Sequence, residues 1–531
     1  MVQATVRDRP TGRTSMHHVL IYNFSGELDD VSYLFPNERL GRLAAVLAAG
    51  GCRVQIVDRA NLDDLVAIGR DYLKCLGDLD FAGSAPMHVA QVRAEAERLL
   101  ASGPDTLLLN LWHGTGFKFS LDLARALKAA RPGLQIIGIG QKVDWYREHV
   151  LGLADTGLDG LITGLGYDVA RHLAAGGTLS AAHNTVTREA TGVAVRPIRE
   201  VDVSDYPVAD YAPAVYTTIA GKVPVYPIVL SNQACPNACV FCVRRANYGQ
   251  VNLRRSTAAV VAEIEALHRE RGVRHFRIED STPPGQALSE LAQALLDRGL
   301  AGSCRFSGFS RVDSTGREDF PLLRAAGVQA LFFGIESLDD DMLARLRKGT
   351  DYGAIRATLQ AAHESGIRTV GSFIFPLPGE TRRSLETTLA RLREIRPFLD
   401  ALVAGPAGVY PHTDWGEHPE QYGITLAPDY LQRAITYPVK YLLPFRLWPP
   451  LPYAYSAPAP GEDTAARVPF TEAYERFMAY VRSELRLPGI PDYYYLLADL
   501  MGQDPMVSTQ SLVRLMVERD YAGLARVLRP T

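Results

Sequence analysis

The sequence predicts an α/β protein with an N-terminal doubly wound domain, a partial (β/α)6 barrel and a mostly helical C-terminal cap. Three observations lead there. Residues 19–180 alternate apolar strand-like runs with helical stretches, the pattern from which parallel sheets are built. Residues 223–410 begin a second series of the same kind, with six strand-like runs. From residue 411 the alternation stops, Pro and Tyr become dense between Tyr437 and Pro460, and helical periodicity returns later.

In the first unit, 1–180, Val19–Phe24 is an apolar run suited to a strand buried on both faces. Leu40–Ala49 is helical and stops at Gly50–Gly51. Arg53–Asp58, Thr106–Leu111, Leu134–Gly140 and Gly160–Gly164 are further strands, with a helix at Leu121–Ala130 closed by Pro132–Gly133. Ligands of such sheets bind at the carboxyl ends of strands. That directs attention to the loops Trp112–Gly116, Gly140–Lys142 and Gly164–Gly166. Residues 181–222 lose periodicity, carry Pro197, Pro207 and Pro213, and read as a linker. In the barrel, 223–410, the strands are Val225–Leu230, His275–Glu279, Arg305–Ser310, Ala330–Glu336, Thr369–Phe375 and Leu402–Val409. The third unit, 411–531, is expected to lie over the barrel mouth, with helices at Phe470–Leu485 and Leu512–Val527.

Composition excludes several classes. The formal net charge is −3, which argues against a nucleic-acid platform or a polybasic membrane binder. No run of about 18 apolar residues suggests a transmembrane helix. Met1–His18 is polar and lacks the apolar core of a secretory signal. Six cysteines in 531 residues are too few for a disulfide framework, so a reducing cytoplasm is expected.

Three of those cysteines fall within eight residues, Cys235-Pro236-Asn237-Ala238-Cys239-Val240-Phe241-Cys242, just after the first barrel strand. Three such thiolates can hold three irons of a four-iron cluster and leave the fourth iron open. A closed zinc site prefers four ligands, and no second Cys or Cys/His pair follows at finger-like spacing. Unrelated structural cysteines are the other alternative. Here the chain resembles the radical S-adenosylmethionine (SAM) superfamily. The resemblance rests on the C-x3-C-x2-C spacing with Phe241 before the last cysteine. It also rests on Ser310–Asp313, Phe333–Ser337 and Leu377–Thr381, which follow in the family's order. It implies a 4Fe-4S cluster on Cys235, Cys239 and Cys242, with S-adenosylmethionine chelating the open iron. Arg311 suits a carboxylate, and Glu336, followed by Ser337, an ammonium or a ribose hydroxyl. An Arg311–Glu336 ion pair is the structural alternative. Phe375-Pro376 departs from the Gly that many relatives carry. Glu279 and Asp280 end the second barrel strand and are candidate catalytic carboxylates beside the cluster. A helix cap or a contact to Arg277 is the alternative for them.

The first unit resembles the cobalamin-binding domain that precedes the barrel in one large subclass. The pieces are Pro36, Leu40–Ala44, Val54–Asp58, Pro104–Leu108, Ile137–Gly140 and Gly157–Gly164. The alternative is a flavodoxin-like domain with another ligand or none. The resemblance implies cobalamin against Thr115, Gly140, Gln141 and Gly164. His113 lacks the D-x-H-x-x-G spacing of a cobalt ligand and is expected to be a loop histidine. Together these imply a cobalamin-dependent radical SAM methyltransferase acting on a small-molecule substrate, with an external electron donor. The chain is similar in organisation to tryptophan 2-C-methyltransferases. Tyr410, Trp415 and Tyr493–Tyr495 are the aromatic candidates for the substrate side. A cyclase or rearrangement enzyme, and a non-catalytic iron–sulfur or cobalamin sensor, are the competing readings.

Overall fold

The computed structural model describes residues 16–280, 282–406, 408–437, 448–454 and 470–529. Much of the Tyr437–Pro460 stretch lies outside the described residues. The first sheet has seven strands in the order β2-β1-β3-β4-β5-β6-β7. These are β1 (His18–Asn23), β2 (Arg53–Asp58), β3 (Thr106–Asn110), β4 (Gln135–Ile139), β5 (Gly160–Ile162), β6 (Thr185–Glu189) and β7 (Gly192–Val195). The first five are parallel, and β1 and β3 are buried along their whole length because helices cover both faces.

The segment 181–222 is only partly a linker. Its hairpin, β6 and β7, adds antiparallel to β5 and extends the sheet. The signal was weak because β7 is largely exposed and alternates little. Three helices between β2 and β3, Leu62–Ile68, Arg70–Asp78 and Pro86–Ala101, have no counterpart in the sequence reading.

The second sheet has six parallel strands in the order β13-β12-β11-β10-β9-β8. They are β8 (Val225–Ile228), β9 (His275–Ile278), β10 (Arg305–Ser310), β11 (Val328–Glu336), β12 (Arg368–Ile374) and β13 (Ala401–Gly405). Alternation decides what each strand presents. Phe276 and Ile278 join the outer core with Val260, Ile264 and Leu288. His275 and Arg277 point the other way, into the barrel.

The C-terminal unit corrects one expectation. The helix Tyr493–Met501 does not cover the mouth. It packs on the inward face of β9, β10 and β11 toward their amino ends. Asp492 at its start accepts two hydrogen bonds from Arg277, at 2.9 and 3.1 Å, and one from Ser307 at 2.7 Å. The Arg277 guanidinium lies 4.6 Å from the Phe309 ring and 4.5 Å from the Tyr493 ring. Two turns further along the helix, Asp499 meets His275 at 2.8 Å. The expected helix Leu512–Val527 is two helices, Pro505–Val517 and Tyr521–Leu528, because Arg519 turns left-handed and Asp520 caps the second. The mouth is approached instead by residues 408–436, and the helix Phe470–Ala479 packs through Phe477 on Phe373 and Phe375.

Removing one partner of a fully buried ion pair strands the other charge. Asp492→Ala is therefore expected to cost about 3–5 kcal/mol in chemical denaturation. Asp499→Ala, at the half-exposed pair with His275, is expected to cost under about 1 kcal/mol. Equal losses would mean that the Arg277 pair does not anchor the plug.

Candidate functional site

The cysteine loop starts at the carboxyl end of β8 and is held by side chains rather than by regular structure. Asp280 is fully buried, and its carboxylate accepts from the Leu230 amide and the Ser231 hydroxyl. Asn232 accepts from the Ala234 and Leu253 amides, and Asn252 donates to the Ala234 carbonyl. Gln233, in the left-handed region at φ 66°, donates to the Glu279 carbonyl. Cys235 is buried, whereas Cys239 and Cys242 are half-buried. The three sulphurs do not all lie within 4.8 Å of one another.

The two candidate carboxylates separate. Both Asp280 oxygens are spent on clamping the loop, and burial pushes its carboxyl up to about 6. It is a positioning residue, and the catalytic expectation for it is corrected. Glu279 faces the lumen beside Arg277, at 3.6 Å, and is partly exposed. Burial raises its carboxyl and Arg277 opposes that.

Arg311 and Glu336 do not pair with each other. Arg311 makes a two-pronged contact with Asp313, at 2.8 Å on each prong, and donates to the Lys348 carbonyl at 2.7 Å. Its remaining nitrogen lies 3.9 Å from the Cys239 sulphur. Glu336 accepts from Lys348 Nζ at 2.9 Å. It sits at φ 69° in a bulge of β11 against β12, a costly conformation for a side-chain-bearing residue. The bulge re-aims this carboxylate at the mouth. Ser337 is a turn residue whose hydroxyl accepts from the Asp339 amide. Lys348 was not legible in sequence, since nothing local marks it as the partner of Glu336.

In the first sheet the order reverses between β1 and β3, so the crevice expected of an open parallel sheet lies there. A Cβ on Gly26 would lie 2.2 Å from Thr115 Oγ1, so the β1 and β3 loops interlock there. Thr115 pins that loop, since its hydroxyl accepts from the Glu27 amide at 2.8 Å and keeps its own proton to donate. Gly140 has φ 99°, and a Cβ there would collide with Asn110. Gln141 meets His113 Nδ1 at 2.6 Å, and Tyr33 engages the other ring nitrogen. Burial pushes His113 down to about 4, so it is a neutral loop histidine, as expected. The groups that sequence reasoning missed are Ser25 Oγ, Trp112 Nε1 and Thr163 Oγ1. They sit on the loops after β1, β3 and β5, buried and without a hydrogen-bond partner among the described residues. Buried polar atoms normally have one.

Comparison with known proteins now adds a decisive match. Residues 229–392 match the profile of the Radical SAM superfamily. The barrel is a radical SAM domain. An uncharacterized methyltransferase of Pyrococcus horikoshii is 26% identical over 194 residues, 36% of this chain and 41% of that protein. The tryptophan 2-C-methyltransferase of Streptomyces laurentii is 29% identical over 198 residues, 33% of this chain and 31% of that one. The chain thus spans well under half the length of these relatives. The structure of the radical S-adenosylmethionine methyltransferase TsrM from Kitasatospora setae, with cobalamin and a 4Fe-4S cluster bound, aligns at a TM-score of 0.67. That alignment covers 95% of this chain and 100% of that one at 15% identity, a likeness of fold.

The radical SAM domain is joined to the first sheet directly behind its cysteines. The helix Arg244–Tyr248 follows Cys242 and docks on the short helix Gln141–Tyr146 after β4. Asn247 donates to the Asp144 carbonyl, Tyr248 donates to the Asp144 carboxylate at 3.0 Å, and Arg147 donates to Asn247 Oδ1 at 2.8 and 3.0 Å. The same Asp144 accepts from the Gly164 amide at 2.9 Å and from Arg39 at 3.0 Å. A Cβ on Gly164 would lie 2.8 Å from the Asn247 carbonyl, so this glycine permits the docking. Rings continue across the joint: Tyr33, Trp112, His113, Trp145 and Tyr410, with neighbouring centroids 5.1–6.1 Å apart. Trp415 is buried on Phe241 of the cysteine loop. Tyr493, at the start of the helix Tyr493–Met501, donates to Asp30 on the loop after β1.

Two outcomes follow for the radical SAM domain. Replacing Cys235, Cys239 and Cys242 together by Ala is expected to abolish the visible thiolate-to-iron absorption after anaerobic reconstitution; four irons retained per chain would refute the ligand set. The second concerns Glu380, buried beneath Ser384 and the Leu377 amide, where burial raises its carboxyl from 4.5 to about 7. The folded chain then holds a proton that the unfolded chain has lost, so stability falls as pH rises from about 4.5 through 7. Glu380→Gln is expected to flatten that slope in denaturation curves and to be more stable than wild type at pH 8.

Proposed function

We propose that the chain is a cobalamin-dependent radical SAM methyltransferase, acting in a reducing cytoplasm. It would transfer a methyl group from S-adenosylmethionine to a carbon of a small aromatic substrate such as tryptophan. The observation that carries this reading is the Asp144–Tyr248 joint, which sets the strand-end crevice of the first sheet beside the loop bearing Cys235, Cys239 and Cys242. Successive group transfers need their centres held close and aligned.

The residues fit the implied groups. The three thiolates suit the cluster, and Arg311 and Glu336 stand at the mouth with charges suited to the carboxylate and ammonium of a methionine moiety. Ser25, Trp112 and Thr163 offer unsatisfied polar atoms around the crevice, and a side chain at Gly114 would meet open space there. A cobalamin bearing many amides would suit that lining, and Gly140, Gln141 and Gly164 are the strand-end residues that would border it. Both His113 nitrogens are engaged, so the chain offers no imidazole to cobalt from that loop. When bound, cobalamin supplies a cobalt centre able to accept and donate a methyl group, and the cluster supplies an iron that S-adenosylmethionine can chelate. The chain's own work is to hold these groups, keep water out with the Trp145–Tyr410 rings, and orient the substrate. Glu279, in the lumen above Arg277, is the carboxylate best placed to meet a cationic substrate or the cluster. An external electron donor completes the requirement.

The test uses anaerobically reconstituted protein with a reductant, methyl-labelled S-adenosylmethionine and L-tryptophan, with and without hydroxocobalamin. S-adenosylhomocysteine release and label in tryptophan, both requiring cobalamin, are the expected results. Release without labelled tryptophan would keep the methyltransferase and remove that substrate. Only 5′-deoxyadenosine would favour a cyclase or rearrangement enzyme, and no turnover a sensor.

A further inference from the structure

Beside the joint between the domains, one group of three metal-ligating side chains among the described residues closes to within 4.8 Å: Glu148, His149 and His412. Glu148 and His149 open the short helix Glu148–Leu151 of the first domain. His412 comes from the segment after β13, in a different domain. Glu148 Oε1 lies 3.2 Å from His412 Nε2 and 3.5 Å from His149 Nε2. Donors around one tetrahedral zinc, at bonds of about 2.0–2.2 Å, sit about 3.3–3.5 Å apart. The two distances to Glu148 match that separation, and the two imidazole donors lie within 4.8 Å of each other.

Glu148 Oε1 makes ion-pair contacts with both imidazoles, and these leave other polar atoms of the trio unanswered. His412 Nε2 and Glu148 Oε2 are both buried and have no hydrogen-bond partner among the described residues. The two imidazole rings lie 22° from parallel with centroids 6.1 Å apart. His412 holds φ 63°, a left-handed conformation that is costly without a compensating contact. The nearest cation, Arg147, directs its guanidinium to Asn247 and the Ala246 carbonyl instead. The three side chains keep 24–31% of their surface exposed, so an ion can enter and retain a water as its fourth ligand.

We propose that Glu148, His149 and His412 bind a divalent transition metal of the zinc class, fastening the 408–436 segment to the first domain. Imidazole and carboxylate donors without a thiolate suit zinc rather than a soft ion. The fastened segment is the one that covers the joint. Tyr410, two residues before His412, packs on Trp145 and Tyr146, and Trp415, three residues after, packs on Phe241. Nothing in this proposal depends on methyl transfer.

The experiment uses the full chain with its cluster reconstituted, so that the cysteines are occupied, equilibrated with zinc and then desalted. About one zinc per chain is expected by plasma mass spectrometry. His412→Gln and, separately, His149→Gln are expected to lower it at least tenfold with iron content unchanged. Cobalt(II) in place of zinc is expected to give weak visible bands without thiolate charge transfer, and those bands should vanish in both variants. Zinc retained equally by the variants, no zinc retained by the wild type, or cobalt bands of thiolate character would each overturn the assignment. His149 is only half-buried, so its variant keeps the test valid where His412→Gln fails to fold.

Discussion

Asp144 is the point on which the architecture turns. One carboxylate oxygen takes the Gly164 amide and the other takes Arg39 and Tyr248, while its carbonyl takes Asn247. A carboxylate that has left water needs every lone pair answered, and these donors come from the loop after β5, the first helix of the chain and the helix behind the cysteine loop. Satisfying one buried charge therefore fixes three segments at once. Without that agreement the two sheets would present their strand ends independently.

The barrel is closed by a second polar arrangement at its other end. Arg277 and Asp492 share the lumen with Ser307 and two rings, so the amino half is filled and ligands are confined to the carboxyl half. A buried ion pair contributes little net stability by itself, but it is intolerant of mispairing. It thereby sets how the helix Tyr493–Met501 enters the barrel. At the open end, Arg311, Lys348 and Glu336 form a chain of contacts from the cysteine loop to the bulged end of β11.

Much of this was legible because it is local. Apolar runs and helix stops marked all six barrel strands, since parallel strands buried on both faces must be apolar and must end in turns. The cysteines were legible because three ligands to one inorganic core can lie within eight residues. The hairpin β6–β7 was not, because an edge strand with solvent on one face carries little apolar signal. Asp280 and Thr115 were located correctly as strand-end polar residues, yet their oxygens serve loop amides, and no local pattern separates an oxygen facing a ligand from one facing a backbone N–H.

The sequence by itself determined the order of the parallel strands and the cysteine motif, because periodicity and short spacing are properties of neighbouring residues. Only the tertiary structure decided who pairs with whom. It gave Glu336 to Lys348 and Arg311 to Asp313, sent the C-terminal helix into the barrel, and brought His412 to Glu148 and His149. Each of those choices is made by burial, which asks every desolvated charge and polar atom to find a partner wherever in the chain it lies.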